Sequence, residues 1–240
     1  MKSSLERFNP STQEENTIFG AEVLRFHLER YRYAGRHLAP GLIGDIACGT
    51  GYGSNILITE FPEKIKRILA VDNYAEAIEY ARRTYQHPLI DFQLQDAQTL
   101  KAALSFDTVV CFETLEHLEH PAEFVQRISN HIVKGGKFIV SVPITPSMDA
   151  NPYHLHDFTS RKLNKICESS NLFLRHNFIQ QQKYNPFLLA SKTNHRTDQL
   201  RKNIINYYLN HPRKFFLRLK SILADGFRNK YYVGVFEKGQ

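Results

Sequence analysis

The stretch 42–53 constrains the fold most strongly, because an apolar strand there runs directly into a glycine-rich turn. The turn contains Gly49, Gly51 and Gly53, and a helix-compatible segment, 54–61, follows it. Glycine has no Cβ, so its backbone can turn sharply and approach a ligand closely. The helix that follows offers backbone N–H groups at its start. This layout predicts a nucleotide-like ligand at the first strand–helix turn of a doubly wound sheet.

Predicted strands and helices alternate along most of the chain. This pattern implies right-handed crossovers and a mostly parallel α/β sheet. We expect Asn73 to cap the third helix and Thr159 to cap the fifth. The predicted helices cover 14–39, 54–61, 74–86, 122–133 and 160–170. The predicted strands cover 42–47, 68–71, 89–94, 106–111, 137–142, 172–180 and 231–237.

Two classes of ligand compete for the glycine turn, and the residue spacing separates them. A dinucleotide fingerprint has the form G-x-G-x-x-G. Counting from Gly49, the sixth position is Ser54, and the third glycine comes one residue early at Gly53. Asp45, inside the strand, is not needed to hold a pyrophosphate. Asp72 ends the second strand and can accept hydrogen bonds from both ribose hydroxyls. The pattern therefore favours a zwitterionic ligand with an adenosine and a sulfonium.

The run Asp45-x-Ala47-x-Gly49-x-Gly51 resembles motif I, D/E-x-G-x-G-x-G, of the class I S-adenosylmethionine-dependent methyltransferases. Ala47 stands where the family usually has glycine, but it is small enough to keep the turn. The resemblance implies a Rossmann-like, seven-stranded sheet that is mostly parallel, with an antiparallel last strand and helices on both faces. It implies S-adenosylmethionine as the cofactor, bound by Asp45, Ala47, Cys48, Gly49, Gly51, Asp72, Asn73, Asp96, Ala97 and Phe112.

The resemblance extends over about residues 42–175. Asp96-Ala97 matches the position where an acid meets the adenine amino group, and 106–113 matches motif IV, which borders the transferred methyl group. The runs ETLEHLEHP and KGGKFIVSVP resemble the ubiquinone-biosynthesis-type subgroup. The runs ERFNP and NPYHLHDFT resemble methyltransferases associated with bacterial surface-polysaccharide glycosyltransferases. Arg30 can pair with the methionine carboxylate of the cofactor, or remain a solvated charge.

Histidines and carboxylates follow the fourth and fifth predicted strands, at the sheet edge where such folds bind ligands. A hydroxyl acceptor must lose a proton during methylation, so a base near the methyl group assists the reaction. His117, His154 and His156 are the candidate bases, with Glu113 beside them. In another interpretation, Glu116 and His117 only cap and brace the loop.

A metal site is the further alternative for these residues. Glu113, Glu116, His117 and His156 could bind a divalent ion that acidifies a hydroxyl. The arrangement E-x-x-E-H with a later histidine resembles the metal site of the small-RNA 3′-end 2′-O-methyltransferases. E-x-x-E-H also occurs in metal-free relatives that act on small aromatic or sugar substrates. We favour the metal-free base and expect no divalent metal.

The positive charge of the chain lies in one segment. The net charge is +7, yet 183–230 alone contains eleven Lys and Arg against two acids, which gives that segment +9. Within it, 211–223 has an amphipathic helical pattern with Phe215 and Leu219 on one face. Such a helix could contact an anionic membrane surface, which would suit a lipid-linked glycan acceptor, or pack on the sheet with its lysines solvated. Phosphates would attract the same cations, but we expect no nucleic-acid partner.

These patterns predict three units: an N-terminal helical lid at 1–40, a cofactor-binding core at 41–182 with 231–240, and a basic helical insertion at 183–230. Three cysteines without framework spacing, and no apolar leader, favour a cytoplasmic protein, with peripheral association at the inner membrane face. The favoured function is O-methylation of a sugar or another small hydroxylated acceptor. The alternatives are a metal-dependent RNA 2′-O-methyltransferase and a non-catalytic cofactor-binding partner in a glycan-assembly complex.

Overall fold

One mixed β-sheet forms the centre of the computed structural model, which describes residues 18–99, 105–183, 201 and 203–240. The side chains of 18–21 lie outside this description. The strands of the sheet are β1 (Gly41–Ile46), β2 (Ile65–Asp72), β3 (Ile90–Leu94), β4 (Phe106–Phe112), β5 (Ile132–Pro143), β6 (Leu172–Lys183) and β7 (Arg228–Lys238). Their order is β3-β2-β1-β4-β5-β7-β6. The first five are parallel to one another, and β7 is antiparallel to both β5 and β6. The predicted fold class is confirmed.

Helices cover both faces of the sheet. They are α1 (Ile18–His37), α2 (Tyr52–Glu60), α3 (Ala75–Thr84), α4 (Pro121–Asn130), α5 (Ser160–Ser169), α6 (Ile204–Asn210) and α7 (Pro212–Asp225). Helices α1, α2 and α3 bury apolar side chains against one face, and α4 and α5 against the other. Both layers are needed because a parallel sheet has two apolar faces to cover. None of the described helices has the length and apolar character that a membrane-spanning segment requires.

The order in which the chain adds strands to the sheet reverses at β1. After β1 the chain proceeds outward to β2 and β3, and it then returns to place β4 on the other side of β1. At such a switch point the loops after neighbouring strands diverge and leave a crevice at the carboxyl ends of the strands. The glycine turn after β1 lies at this crevice.

Several predicted boundaries and one predicted cap are wrong. Strand β5 begins at Ile132 and not at 137, because Ile132 already pairs with Phe106 before a register shift. The preceding helix therefore ends at Asn130. Asn73 does not cap α3: the N-cap is Tyr74, whose N–H donates to Asp72 Oδ1 at 2.9 Å. Thr159 does cap α5 and accepts the N–H of Lys162 at 3.1 Å.

Helix α1, within the predicted N-terminal lid, is attached to the core along its length. Arg32 donates to both carboxylate oxygens of Glu60 at the end of α2. Lys64 Nζ donates to the last-turn carbonyls of α1, at Gly35 and Arg36. The part of the predicted lid before residue 18 lies outside the described residues. The predicted insertion contains α6 and α7, whereas residues 184–200 and 202 of it lie outside the description as well.

A close contact fixes α1 against the start of α2. A Cβ added at Gly53 would lie 1.9 Å from Tyr31 Cζ, so only glycine allows the ring to rest on the helix backbone. The Tyr31 ring is buried and also packs edge-on against Phe112, with ring centroids 5.0 Å apart. The third glycine of the turn therefore serves helix packing.

We expect Gly53→Ala to lower the free energy of unfolding by about 1–3 kcal/mol, because the buried Tyr31 ring must shift. In a Tyr31→Ala background the same change should instead stabilise the protein by up to about 1 kcal/mol, since alanine is the better helix former. Urea unfolding of the four proteins in this cycle measures both values. An equal cost in both backgrounds would contradict the packing explanation.

Candidate active site

A pocket opens at the crevice, with α1 as one of its walls. Its lining combines polar and apolar groups and comes from α1 and the ends of four neighbouring strands, as expected for a ligand site at a switch point. The lining residues are His27, Arg30 and Tyr31 of α1; Ala47–Thr50 in the turn after β1 and Tyr52 at the start of α2; Asp72 and Asn73 at the end of β2; Asp96–Gln98 after β3; and Phe112–Thr114, His117 and Leu118 at the end of β4 and in the loop after it.

The glycine turn presents its backbone to this pocket. Gly49 has φ +57°, and a Cβ there would meet nothing within 4 Å, so the turn leaves open space for a ligand. Ala47 also adopts a left-handed conformation, with φ 61°, where the related motif has glycine. Gly51 has φ +82° but packs away from the pocket, because a Cβ there would lie 2.6 Å from Phe92.

Asp45 was predicted to bind the cofactor, but it lies beneath the turn and outside the pocket lining. Its carboxylate is buried and accepts hydrogen bonds from Ser54 Oγ at 2.6 Å and from Tyr31 Oη at 3.1 Å. Burial raises the pKa of Asp45 to about 6, although the hydrogen bonds from Ser54 and Tyr31 oppose the rise. Asp45 therefore joins β1 to α1 and α2 as a structural group.

Asp72 connects the turn to the start of α3 and also lines the pocket. Its Oδ2 accepts the N–H of Gly49 at 3.0 Å, and its Oδ1 accepts the N–H of Tyr74 at 2.9 Å. Each carboxylate oxygen has two acceptor sites, so a single N–H donor does not saturate it. The geometry is compatible with the predicted ribose contact.

Asp96 caps a turn at the edge of the pocket. Its Oδ1 accepts the N–H of Gln98 at 2.8 Å, which is a turn cap, and the residue also lines the pocket. Of the ten predicted cofactor residues, all except Asp45 and Gly51 lie in the lining; these eight are Ala47, Cys48, Gly49, Asp72, Asn73, Asp96, Ala97 and Phe112.

Glu113 lies in the pocket with a strained backbone. Its φ is 50°, an uncommon value for a residue with a side chain, and such strain is frequent at functional sites. Ser141 Oγ on β5 donates to its Oε1 at 2.7 Å. Burial raises the pKa of Glu113, while nearby Arg30, the Ser141 hydroxyl and His117 act in the opposite direction.

Arg30 is a buried cation in the pocket wall, with 1% of its surface exposed. Its Nη1 donates to Gln180 Oε1 at 2.6 Å, and the guanidinium lies 5.0 Å from the centre of the Tyr231 ring. Its Nε has no hydrogen-bond partner among the described residues. None of the described carboxylates is in direct contact with this guanidinium, and a buried cation without an anion is costly, so this part of the wall suits an anionic ligand group. The solvated alternative for Arg30 is wrong.

Glu116, His117 and His154 form a cluster at the rim of the pocket. One carboxylate oxygen and one ring nitrogen from each histidine lie within 4.8 Å of one another, and Glu116 is fully buried. The two rings meet edge-on, with centroids 4.7 Å apart. His117 Nδ1 lies 3.1 Å from the Tyr153 carbonyl oxygen, and because a carbonyl only accepts, Nδ1 carries the proton.

His156 lies apart from this cluster. Its Nε2 donates to the Leu118 carbonyl at 2.9 Å, and the residue is not in the pocket lining. The proposed metal set of Glu113, Glu116, His117 and His156 is therefore not brought together: Glu113 is bonded to Ser141 and His156 to Leu118. His154 takes the place of His156 beside Glu116 and His117. The reason is that the Glu116 carbonyl accepts the N–H groups of residues 155 and 156 and so fixes the path of the loop.

Sequence reasoning missed several residues of the site. His27 Nδ1 lies 2.5 Å from Tyr52 Oη, so this pair joins α1 to the glycine turn. Gln180 on β6 holds Arg30 and also donates to the Phe26 carbonyl at 3.0 Å. No local motif marks Gln180, because its role depends on a contact across 150 residues of chain.

Comparison with known proteins supports one family for this domain. Residues 44–140 match the methyltransferase domain family. A probable S-adenosylmethionine-dependent methyltransferase of Mycolicibacterium smegmatis is 27% identical over 172 residues, which cover 69% of this chain and 63% of the relative. A ubiquinone biosynthesis O-methyltransferase of Xanthomonas euvesicatoria is 30% identical over 112 residues, 43% of this chain and 44% of the relative. The chain thus spans less than two thirds of these relatives.

Solved structures support the same fold at low sequence identity. The YcgJ protein of Bacillus subtilis has a TM-score of 0.66 and 15% identity, covering 88% of this chain and 99% of that one. The N-methyltransferase NodS of Bradyrhizobium japonicum, solved with S-adenosyl-L-homocysteine, has a TM-score of 0.60 and 14% identity, covering 98% of this chain and 97% of that one.

The raised pKa of Asp45 predicts a pH dependence of stability. Between pH 3.8 and about pH 6, Asp45 holds a proton in the folded state that it releases in the unfolded state. Stability from this group is therefore highest at low pH and falls as the pH rises toward 6. At 1.36 kcal/mol per pH unit, the loss is on the order of 3 kcal/mol.

Urea unfolding of the wild type and Asp45→Asn between pH 4 and 7 measures this effect. Other groups oppose it: hydrogen bonds from Lys214 and two backbone N–H groups overcome burial and lower the pKa of Asp157. The difference between the two proteins removes such common contributions. We expect the wild type to lose stability relative to Asp45→Asn as the pH rises. A constant difference, or one of opposite slope, would contradict the raised pKa.

Proposed function

The chain carries a class I methyltransferase domain, and we propose that it transfers the methyl group of S-adenosylmethionine to a hydroxyl of a sugar or another small acceptor, free or lipid-linked. One observation carries the proposal. The Gly49 turn, the Asp72 carboxylate and the residues Glu113 and His117 line a single pocket at the switch point of the sheet.

The pocket residues fit this cofactor. The open space at Gly49 admits a ligand against the backbone, and Asp72 can accept hydrogen bonds from ribose hydroxyls. Asp96 lines the same pocket, and we assign it to the adenine amino group. Arg30 lines the same pocket, and we assign its guanidinium to the methionine carboxylate. When bound, the cofactor supplies a methyl group on a positively charged sulfonium.

Proton removal from the acceptor is assigned to His117. Because its Nδ1 donates to the Tyr153 carbonyl, Nε2 is the basic nitrogen of the neutral ring. The buried Glu116 carboxylate lies within 4.8 Å of this ring and of His154, so it stabilises the imidazolium that forms when the ring takes a proton. Methyl transfer needs alignment as well, and the fixed loop at 153–157 limits the approach of the acceptor.

His117→Gln should lower turnover by about 10²–10⁴-fold, because it removes the base, while leaving the affinity for S-adenosylhomocysteine nearly unchanged. The assay measures transfer of a labelled methyl group from S-adenosylmethionine to monosaccharides, nucleotide sugars and lipid-linked saccharides. His156→Gln is the matched control, since glutamine keeps a donor for the Leu118 carbonyl; it should retain turnover.

Each other outcome identifies an alternative. Equal losses in both variants would contradict the assignment of His117. Cofactor binding without transfer to any acceptor would support a non-catalytic partner of a glycan-assembly complex. Activity that EDTA abolishes and Mg²⁺ or Mn²⁺ restores would show that Glu116, His117 and His154 hold a metal. Such a metal would favour an RNA 2′-O-methyltransferase if the chain also methylates RNA.

A further inference from the structure

Helix α7 turns a polar face toward the body of the protein. Arg218 donates to both carboxylate oxygens of Asp149, at 2.7 Å and 2.5 Å, and Asp149 is only 2% exposed. Tyr208 Oη of α6 donates to the same carboxylate at 2.6 Å. One turn earlier, Lys214 Nζ donates to Asp157 Oδ2 at 2.5 Å. Buried and half-buried ion pairs therefore attach these helices to the loop between β5 and α5.

Most of the aliphatic and Phe side chains of α6 and α7 are exposed instead. Neither helix contains a buried residue. A surface helix in a globular protein usually places its apolar face on the core, so this arrangement is reversed. We call the exposed apolar side the outer face; it consists of Ile205 (76% exposed), Leu209 (76%), Phe216 (64%), Leu219 (40%) and Leu223 (78%).

Positive charges flank the outer face. Arg213 and Lys220 lie three residues before and four residues after Phe216, so all three are neighbours on the helix surface, and both cations are exposed. Asp225 is the only acidic residue in the sequence from 201 to 227, and it pairs with Lys230 at 2.5 Å. The outer face thus combines apolar side chains with two cations that form no ion pair with any residue the structure describes.

We propose that the outer face binds the surface of an anionic lipid bilayer. Exposed Phe and Leu side chains would insert at the boundary of headgroups and acyl chains, and Arg213 and Lys220 would meet the lipid phosphates. Association is peripheral, through helices that lie in the plane of the interface.

The charge pattern favours this occupant over others. In a two-fold contact between copies of this chain the same patch faces itself, which would bring Arg213 and Lys220 toward their own counterparts without an acid to compensate. A nucleic acid would satisfy the cations but would leave the apolar side chains against phosphates. An anionic bilayer meets both requirements at once.

Co-sedimentation of the full chain with vesicles tests the proposal. The wild type should pellet with vesicles of phosphatidylglycerol and phosphatidylcholine, and much less with phosphatidylcholine alone. Phe216→Ser/Leu223→Ser should weaken binding at least tenfold, because it removes the two most exposed apolar groups of α7. Arg213→Glu/Lys220→Glu should weaken it in anionic vesicles, and added salt should do the same to the wild type.

The matched control is Leu89→Ser/Phe173→Ser, which removes two exposed apolar side chains (38% and 44%) far along the chain from α6 and α7. This control should pellet as the wild type does. Circular dichroism of each variant verifies the fold. Equal binding by the Phe216→Ser/Leu223→Ser variant, or no binding of the wild type to anionic vesicles, would overturn the proposal. A wild-type dimer in light scattering that Phe216→Ser/Leu223→Ser dissociates, without vesicle binding, would assign the face to a second copy.

Discussion

The Asp72 carboxylate holds together the two chain segments that form the floor of the pocket. One oxygen accepts the N–H of Gly49 in the turn, and the other accepts the N–H of Tyr74 at the start of α3. These hydrogen bonds hold the turn after β1 beside the start of α3. Ala47 in that turn adopts a left-handed conformation although it carries a side chain. The shape of the site therefore depends on a charged group that also lines the pocket.

The sequence predicted the features that depend on local chemistry. Periodicity, turn propensity and spacing predict the glycine turn, the alternation of strands and helices, and Asp72 at the end of β2. The sheet order agrees with the family resemblance. The Thr159 cap was predicted correctly for the same reason, since a cap is decided within one helical turn.

Features that depend on distant contacts were not predictable in this way. Asp45 matches a cofactor motif, yet Ser54 and Tyr31 bury it beneath the turn. His154 replaces His156 in the histidine cluster because the backbone at Glu116 fixes the loop. The reversed orientation of α7 depends on Asp149, which is 69 residues from Arg218 in the chain.

The central claim is that the pocket binds the adenosine of S-adenosylmethionine through Asp72, and calorimetry with S-adenosylhomocysteine tests it most directly. We expect the wild type to bind this product and to give no heat with a nicotinamide dinucleotide. Asp72→Asn should bind at least tenfold more weakly, since it loses charge-assisted hydrogen bonds. Asp91→Asn, which alters an exposed ion pair with Arg67, should bind as the wild type does. Heat with the dinucleotide and none with S-adenosylhomocysteine would contradict the account.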